Sequence, residues 1–366
     1  MQLLKTLSHL EPALRALGLA DSAGLQLYQA RHLSTFHHPP FNPDLPVLVA
    51  LEAGVDMAQI GRVLLNQYAA EHPLHLVSAN APEEVTALTV GDMAEIDASP
   101  KWNALIVHPL SQAGSFERFQ ETIAHLRAPE GCPWDRKQTH TSLRPYLLEE
   151  TYEVLDALDS GNSQALREEL GDLLLQIVLH SQIAVDEGTF RMTDIIAAIN
   201  AKLVHRHPHV WGDVQVDDEE DVKSNWDKLK QQEKNDTRQS RLDGVPKSLP
   251  ALSQAFSYQD RAARVNFDWE TIDPVLAKVQ EEIDELLSAP DEKARAQEAG
   301  DLLFAVVNLA RWLDVEPESA LRGTNARFYQ RFHYIEQQAA AQGREVSDMS
   351  LAEMDTLWDA AKANGL

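Results

Sequence analysis

The chain has 366 residues, a length that suits two or three domains, and its hydrophobic content of 44% allows real cores to be buried. Its formal net charge is −25, from 32 Lys+Arg against 57 Asp+Glu. A protein that coats DNA or RNA needs positive charge over its footprint, so we expect no nucleic-acid polymer as a partner. An acidic protein can still bind a polyphosphate where metal ions and a few local cations neutralise the site.

Membrane and disulfide signals are missing from the sequence. No apolar run is long enough to cross a bilayer, and the first residues lack a signal-peptide layout, so no membrane association is expected. Cys132 is the only cysteine, which rules out an intrachain disulfide and fits a reducing compartment. The sequence therefore predicts a cytoplasmic protein.

Residues 1–110 differ in pattern from the rest of the chain. They combine proline-rich turns with short β-like runs at 46–51, 74–77 and 104–107. This mixture predicts a small α/β or α+β domain at the start of the chain.

From Ser115 onward the hydrophobic periodicity is helical. A polar stretch at 231–250, broken by glycine and proline, interrupts it. We therefore predict a mainly all-α protein with helical bundles at 115–235 and 251–366, joined by a linker at 236–250. A Ser350-x-x-Glu353 capping box is predicted to begin the last helix.

The most informative feature is a set of four elements that recurs in the same order in both helical regions. Each copy has an acidic Glu-Glu-x-x-Glu segment, a Glu-x-Gly-Asp-Leu-Leu segment, a basic pair four residues apart, and Trp-Asp-x-x-Lys. In the first copy these lie at 149–153, at 169–174, at Lys202 with Arg206, and at Trp226 with Lys230. In the second copy they lie at 281–285, at 298–303, at Arg327 with Arg331, and at Trp358 with Lys362.

Helical spacing groups the acids of each copy. Residues three or four apart share a helix face, and the short links at 159–163 and 288–291 predict antiparallel helical hairpins. Four carboxylates then converge between two helices in each copy. They are Glu150, Glu153, Glu169 and Asp172 in the first, and Glu282, Glu285, Glu298 and Asp301 in the second.

Such a cluster needs a cation. Two carboxylates about 4 Å apart repel by roughly 4 kcal/mol at an effective dielectric constant near 20. Oxygen-only ligands favour Mg²⁺ or Mn²⁺ over zinc. The apolar runs that follow Asp172 and Asp301 predict core helices, in which unpaired acids are costly.

The acids admit two other interpretations. An isolated acidic pair is usually a solvated helix face, and here the duplication favours a metal site instead. A di-iron bundle would need Glu-x-x-His pairs. No histidine stands three residues after any acid of either copy that could open such a pair, namely Glu153, Glu169, Glu285 or Glu298.

The basic pairs and tryptophans admit two interpretations as well. Singly they would be surface cations and core aromatics. Placed after an acidic metal cluster, the cations could hold phosphate oxygens and the ring could lie near a base. The histidines at 205, 207 and 209 look like metal ligands, but Pro208 interrupts them and the second copy has no counterpart, so a helix-terminating turn is predicted.

The acidic signature resembles that of MazG and the wider all-α NTP pyrophosphatases. The segment from Gly131-Cys132-Pro133-Trp134-Asp135 to Leu155, with 206–210, looks like the first domain of tandem MazG proteins. The segment 242–250 looks like their linker. This resemblance covers about 115–366.

The resemblance implies Mg²⁺-dependent hydrolysis of a (d)NTP to a (d)NMP and pyrophosphate, in a homodimer. It implies that the eight acids are metal ligands and that Glu149 and Glu281 support the metal or orient water. The substrate-facing residues that it implies are Lys202, Arg206, Trp226, Lys230, Arg327, Arg331, Trp358 and Lys362. Arg327 stands where the family pattern has Lys, which alters the contact geometry.

Three functions remain open at this point. The first is the hydrolase, with the second copy as the more active one. The second is a non-catalytic nucleotide sensor or dimerisation scaffold. The third is a methyltransferase, because 36–46 and 67–73 are similar to the latter half of a tetrapyrrole methylase. The S-adenosylmethionine loop of that fold is missing here, so residues 1–110 are expected to be non-catalytic.

Overall fold

The computed structural model describes residues 10–96, 101–232 and 240–366. Contacts divide the chain into two compact units, Met1–Ala197 and Ala198–Leu366. Residues 236–239 of the predicted linker lie outside the described residues. No helix in the described part of the chain is both long and apolar enough to cross a bilayer.

The first unit begins with a mixed five-stranded sheet. Its strands are β1 (Gln26–Gln29), β2 (Val47–Ala50), β3 (Pro73–Ser78), β4 (Val85–Thr89) and β5 (Trp102–Val107). Their spatial order is β1-β2-β5-β3-β4, with β1 and β2 parallel and every other pair antiparallel. A small mixed sheet with short helices is therefore present at the start of the chain, as the β-like runs predicted.

Alternating side chains give this sheet a core on each face. Val47 and Val49 point to the face covered by α2 (Met57–Leu64), whereas Leu48 points to the face covered by the helical stretch at 10–16. A short helix α1 (Ala30–Leu33) follows β1. The β-like runs of the sequence match β2, β3 and β5, whereas β1 and β4 were not anticipated.

The rest of the first unit is helical. Helix α3 (Phe116–Arg127) packs on α5 (Ser163–Asp186), and α4 (Arg144–Ser160) pairs with α5. Gly161 ends α4 in the left-handed region at φ 64°, and the Asn162 side chain caps α5. We name the pair α4 and α5 the first hairpin. Helix α6 (Met192–Arg206) spans the division between the units.

The second unit repeats the helical pairing. Its elements are α7 (Pro208–Trp211), α8 (Glu219–Gln232), α9 (Ala251–Ala263), α10 (Ile272–Ser288), α11 (Glu292–Trp312), α12 (Pro317–Ala341) and α13 (Leu351–Ala363). Helices α10 and α11 pack closely as the second hairpin, and α12 packs on α13. Asp291 caps α11 and the predicted Ser350–Glu353 capping box begins α13.

One expectation is wrong. The apolar run after Asp301 was expected to lie in a core helix, but Leu303, Phe304 and Val306 are 58%, 46% and 44% exposed. Within this run Ala305 and Val307 are buried, because the neighbouring helices cover only part of the surface of α11. The run after Asp172 does contribute to a core, since Val178 and Leu179 are buried in a hydrophobic cluster, although Ile177 is 42% exposed.

Candidate functional site

The first hairpin brings acids of its two helices together. Glu150 on α4 and Glu169 and Asp172 on α5 each place a carboxylate oxygen within 4.8 Å of the others. All three are half-buried, whereas Glu153 and Glu149 are exposed. Glu153 still lies near enough to add to the negative field at Glu150 and Glu169. Three of the four predicted acids thus form the tight group, with the fourth at its edge.

The electrostatics of this group show the repulsion expected from its spacing. Partial burial, then the neighbouring charges of Asp172 and Glu153, raise the pKa of Glu150 above its ordinary value. Partial burial and the acids around it raise the pKa of Glu169 in the same direction. The Gln176 amide lies 3.5 Å from Glu150 Oε1 and is the neutral donor of this site.

The second hairpin forms a matching group. Glu282 and Glu285 on α10 and Glu298 on α11 have carboxylate oxygens within 4.8 Å of one another. Partial burial, then Glu285, Asp301 and Glu282, raise the pKa of Glu298. Asp301 is exposed and lies outside this group, although its counterpart Asp172 belongs to the first group and Glu153, the counterpart of Glu285, does not.

Glu282 is the most buried acid of either group, with 7% of its side chain exposed. Its Oε2 is buried, and no donor among the described residues reaches it. Its Oε1 lies 2.7 Å from the Lys278 ammonium, which also contacts Glu281 Oε1 at 2.8 Å. A buried carboxylate oxygen that no hydrogen bond satisfies is a suitable ligand for a hard cation. The residues present therefore fit a divalent metal ion.

The basic and aromatic elements also meet in space. The Arg206 guanidinium lies 5.4 Å from the centre of the Trp226 ring, and the Arg331 guanidinium lies 5.5 Å from that of Trp358. Arg206 is buried, and Arg331 donates to the Leu366 carbonyl at 2.8 Å. The sequence predicted both elements but not that one would stack on the other.

The remaining predicted cations have other contacts. Lys362 pairs with Asp359 at 3.0 Å, and Arg327 donates to Thr324 Oγ1 at 2.9 Å. Lys202 is exposed, and Lys230 is half-buried on α8. The four substrate-facing residues predicted for the first copy belong to the second compact unit, whereas its acids belong to the first.

The histidine cluster is a turn, as predicted. Helix α6 ends at Arg206, the His207 ring contacts the Leu203 carbonyl at 2.7 Å, and Pro208 begins α7. The groups of acids and histidines able to hold a metal within the described ranges are the two hairpin clusters.

Two polar residues of the site were missed by the sequence analysis. Lys278 precedes Glu282 by four residues, and Gln176 follows Asp172 by four. Helical spacing, which found the acids, places both on the acidic face. The second copy has no Gln176 equivalent, because Ala305 stands there, and the first has Tyr146 where the second has Lys278.

Comparison with known proteins places these motifs in a family. The MazG nucleotide pyrophosphohydrolase domain matches residues 138–211, which include the first acidic group. The nucleoside triphosphate pyrophosphohydrolase/pyrophosphatase MazG of Thermotoga maritima is 43% identical over 247 residues, which are 68% of this chain and 95% of that protein. The nucleoside triphosphate pyrophosphohydrolase of Escherichia coli K12 is 45% identical over 253 residues, covering 67% and 96%.

A further relative is longer than the region it shares with this chain. YabN of Bacillus subtilis is 46% identical over 251 residues, which are 68% of this chain and 51% of that protein. Two relatives above 40% identity match over nearly their whole length. The chain therefore belongs to the MazG nucleotide pyrophosphohydrolase family.

Proposed function

We propose that this protein hydrolyses nucleoside triphosphates to the monophosphate and pyrophosphate, with Mg²⁺ as the cofactor and Mn²⁺ as an alternative. One observation carries the proposal: in each hairpin, acids from two helices lie within 4.8 Å of one another. Among the described residues, the cation paired with these acids is Lys278, which contacts Glu282 in the second hairpin. The names of the relatives from Thermotoga maritima and Escherichia coli support the reaction.

The proposed active site is that of the second copy. Glu282, Glu285, Glu298 and Asp301 would hold the metal, which supplies neutralisation of the triphosphate and a more acidic water. Glu281 would orient that water for attack at the α-phosphorus. The first copy would use Glu150, Glu153, Glu169 and Asp172 as metal ligands, with Glu149 beside them.

The cations and rings would bind the substrate. Arg331 and Lys362 would neutralise the pyrophosphate leaving group, and Arg327 would add a further contact. Because the Arg331 guanidinium and the Phe328 ring already contact Trp358, the base would use the part of the ring that remains exposed. Lys202, Arg206, Trp226 and Lys230 would have the same roles in the first copy.

The chain would thus carry two tandem MazG-like domains, at 115–235 and 251–366, behind a non-catalytic, methylase-like region at 1–110. We also propose a homodimer. Apolar side chains on α11 and α12 support it, since Leu303 and Phe328 are each 58% exposed and need a cover. The molar mass in solution, from light scattering, tests this.

The reaction is tested by incubating the purified chain with Mg²⁺ and a panel of (d)NTPs and separating the products. Pyrophosphate with monophosphate supports the proposal, and phosphate with diphosphate contradicts it. Binding without turnover by the intact chain would favour the non-catalytic sensor or scaffold. Glu298→Gln is the matched variant, because it keeps the side-chain shape and removes the charge.

A further inference from the structure

The second acidic group contains its own cation. Lys278 Nζ lies 2.7 Å from Glu282 Oε1 and 2.8 Å from Glu281 Oε1. The Lys278 side chain is 42% exposed, whereas the Glu282 side chain is 7% exposed. It is therefore a solvent-facing cation on the most buried carboxylate of the site.

The first group has a neutral environment at the corresponding positions. Tyr146, four residues before Glu150, is 39% exposed and packs edge-on against Trp134. Gln176 offers an uncharged amide to Glu150. The two groups, similar in their acids, thus differ by one positive charge at the metal's expected position.

That charge competes with a metal. An ammonium and a divalent cation cannot both bind closely to the same carboxylate oxygen, because their positive charges repel each other. A unit charge about 6 Å from a divalent ion in water reduces its affinity about tenfold. Lys278 also satisfies Glu282 Oε1 in the metal-free protein, so a metal must first replace that contact.

We propose that Lys278 is a built-in competitor for the metal of the second hairpin, so that the nucleotide-free protein loads the first acidic group at least about tenfold more tightly than the second. This inference rests on the proposed function, which makes both groups metal sites. It divides the two copies by role: the first holds its metal throughout, and the second receives metal with the incoming triphosphate.

The test is a titration of the nucleotide-free full chain with Mn²⁺ alone, with free Mn²⁺ followed by electron paramagnetic resonance. Two classes of site are expected. Glu169→Gln should remove the tight class and Glu298→Gln the weak class, which assigns them. Lys278→Met should tighten the weak class about tenfold and leave the tight class unchanged.

Two matched variants complete the test. Tyr146→Lys places the same cation beside the first group and should weaken its class about tenfold. Lys293→Met removes an exposed charge on α11 and should leave both dissociation constants within twofold. If Lys278→Met folds poorly, judged by its urea midpoint, Lys278→Gln replaces it.

The inference is overturned if Lys278→Met shifts neither class beyond the change in Lys293→Met, if the class removed by Glu298→Gln is the tighter one, or if no Mn²⁺ binds without nucleotide. Turnover separates this from the proposed function. If pyrophosphate release depends on metal but Lys278→Met leaves the Mn²⁺ dissociation constants unchanged, the role of Lys278 is refuted and the proposed reaction stands. If Lys278→Met tightens Mn²⁺ binding but the protein shows no turnover, the proposed reaction is refuted and the role of Lys278 stands.

Discussion

The two hairpins hold similar acids in different settings. In the first, Glu150 lies ten residues before the end of α4; in the second, Glu282 lies six before the end of α10. Each nevertheless comes within 4.8 Å of acids on the facing helix. The length of the turn is therefore not what aligns them. The packing of the facing helices sets the register, and the turn adapts to it.

An ion pair holds the end of each hairpin that lies away from the turn, but the hairpin contributes the acidic partner in the first copy and the basic partner in the second. The end of α5 is tied by Arg127 on α3 to Asp186, with Nε to Oδ2 at 2.7 Å. The end of α11 is tied the other way, since Arg311 lies on the hairpin and Asp268 lies in the preceding loop, also at 2.7 Å. The acids repeat between the copies, whereas the ion pairs around them do not. The acidic groups therefore do not depend on one particular arrangement of supporting ion pairs.

The largest expected difference between the hairpins is in turnover. Glu298→Gln should lower pyrophosphate release at least about a hundredfold, because a metal ligand contributes several kcal/mol to the transition state. Glu169→Gln should reduce it far less if the second copy is the more active. Initial rates at saturating Mg²⁺ measure both. Equal losses would break the proposed division between copies.

Substrate binding should come next. Arg331→Met removes a charge-assisted contact to the triphosphate and should raise KM about tenfold, with a smaller effect on kcat. Arg322→Met, on the same helix, is the control because Arg322 contacts Ser319 rather than the ring. An unchanged KM in Arg331→Met would remove this residue from the site.

Stability should distinguish the two supporting ion pairs. Asp268→Asn should lower the free energy of unfolding by about 1–3 kcal/mol, because Arg311 and the Trp312 indole both donate to that largely buried carboxylate. Asp186→Asn should cost below about 1 kcal/mol, since Asp186 is 38% exposed. Urea unfolding compares them, and the reverse order would contradict the structure.

The pH dependence of this difference has a fixed sign. Burial opposes ionisation of Asp268, but the hydrogen bonds from Arg311 and Trp312 outweigh it and lower its pKa below the ordinary 3.8. Its contribution is therefore present above pH 3.8 and is lost as the pH falls through the lowered pKa. The acid-side loss of stability should be smaller in Asp268→Asn. A larger loss there would refute the assignment.

The smallest expected effect concerns the metal-free acids. Burial and the neighbouring acids raise the pKa of Glu298 above 4.5, so the stability from its protonated form is lost as the pH rises through the raised value. Without metal, Glu298→Gln should therefore melt slightly higher than the wild type at pH 7. Excess Mg²⁺ should reverse that order. Calorimetry at both conditions measures it.

Local signals gave the helical part of this architecture in advance. Capping by Ser350, the periodicity after Ser115, and the repeated acids are all short-range features, and helices depend mostly on such features. The strands β1 and β4 were not anticipated because they are partly exposed, whereas the equally short β2 is an apolar, mostly buried run. Their identity depends on pairing with distant strands rather than on their own pattern.

The sequence predicted the acids of the candidate site but missed the contacts between its cations and aromatic rings. Helical spacing brings Glu150 to Asp172 and Glu282 to Glu298. It did not indicate that Arg331 would stack on Trp358, because that contact depends on how α12 and α13 pack. The exposure of apolar residues on α11 was missed for the same reason. An apolar run indicates that a helix buries a surface, but not which neighbouring element covers it.

The most direct test of the account is the position of bound metal. A crystal of the full chain soaked in Mn²⁺ with a non-hydrolysable triphosphate should show anomalous scattering between Glu282, Glu285 and Glu298, with the triphosphate bound to that metal. A second peak is expected between Glu150, Glu169 and Asp172. Peaks elsewhere, or a triphosphate bound away from both hairpins, would contradict it.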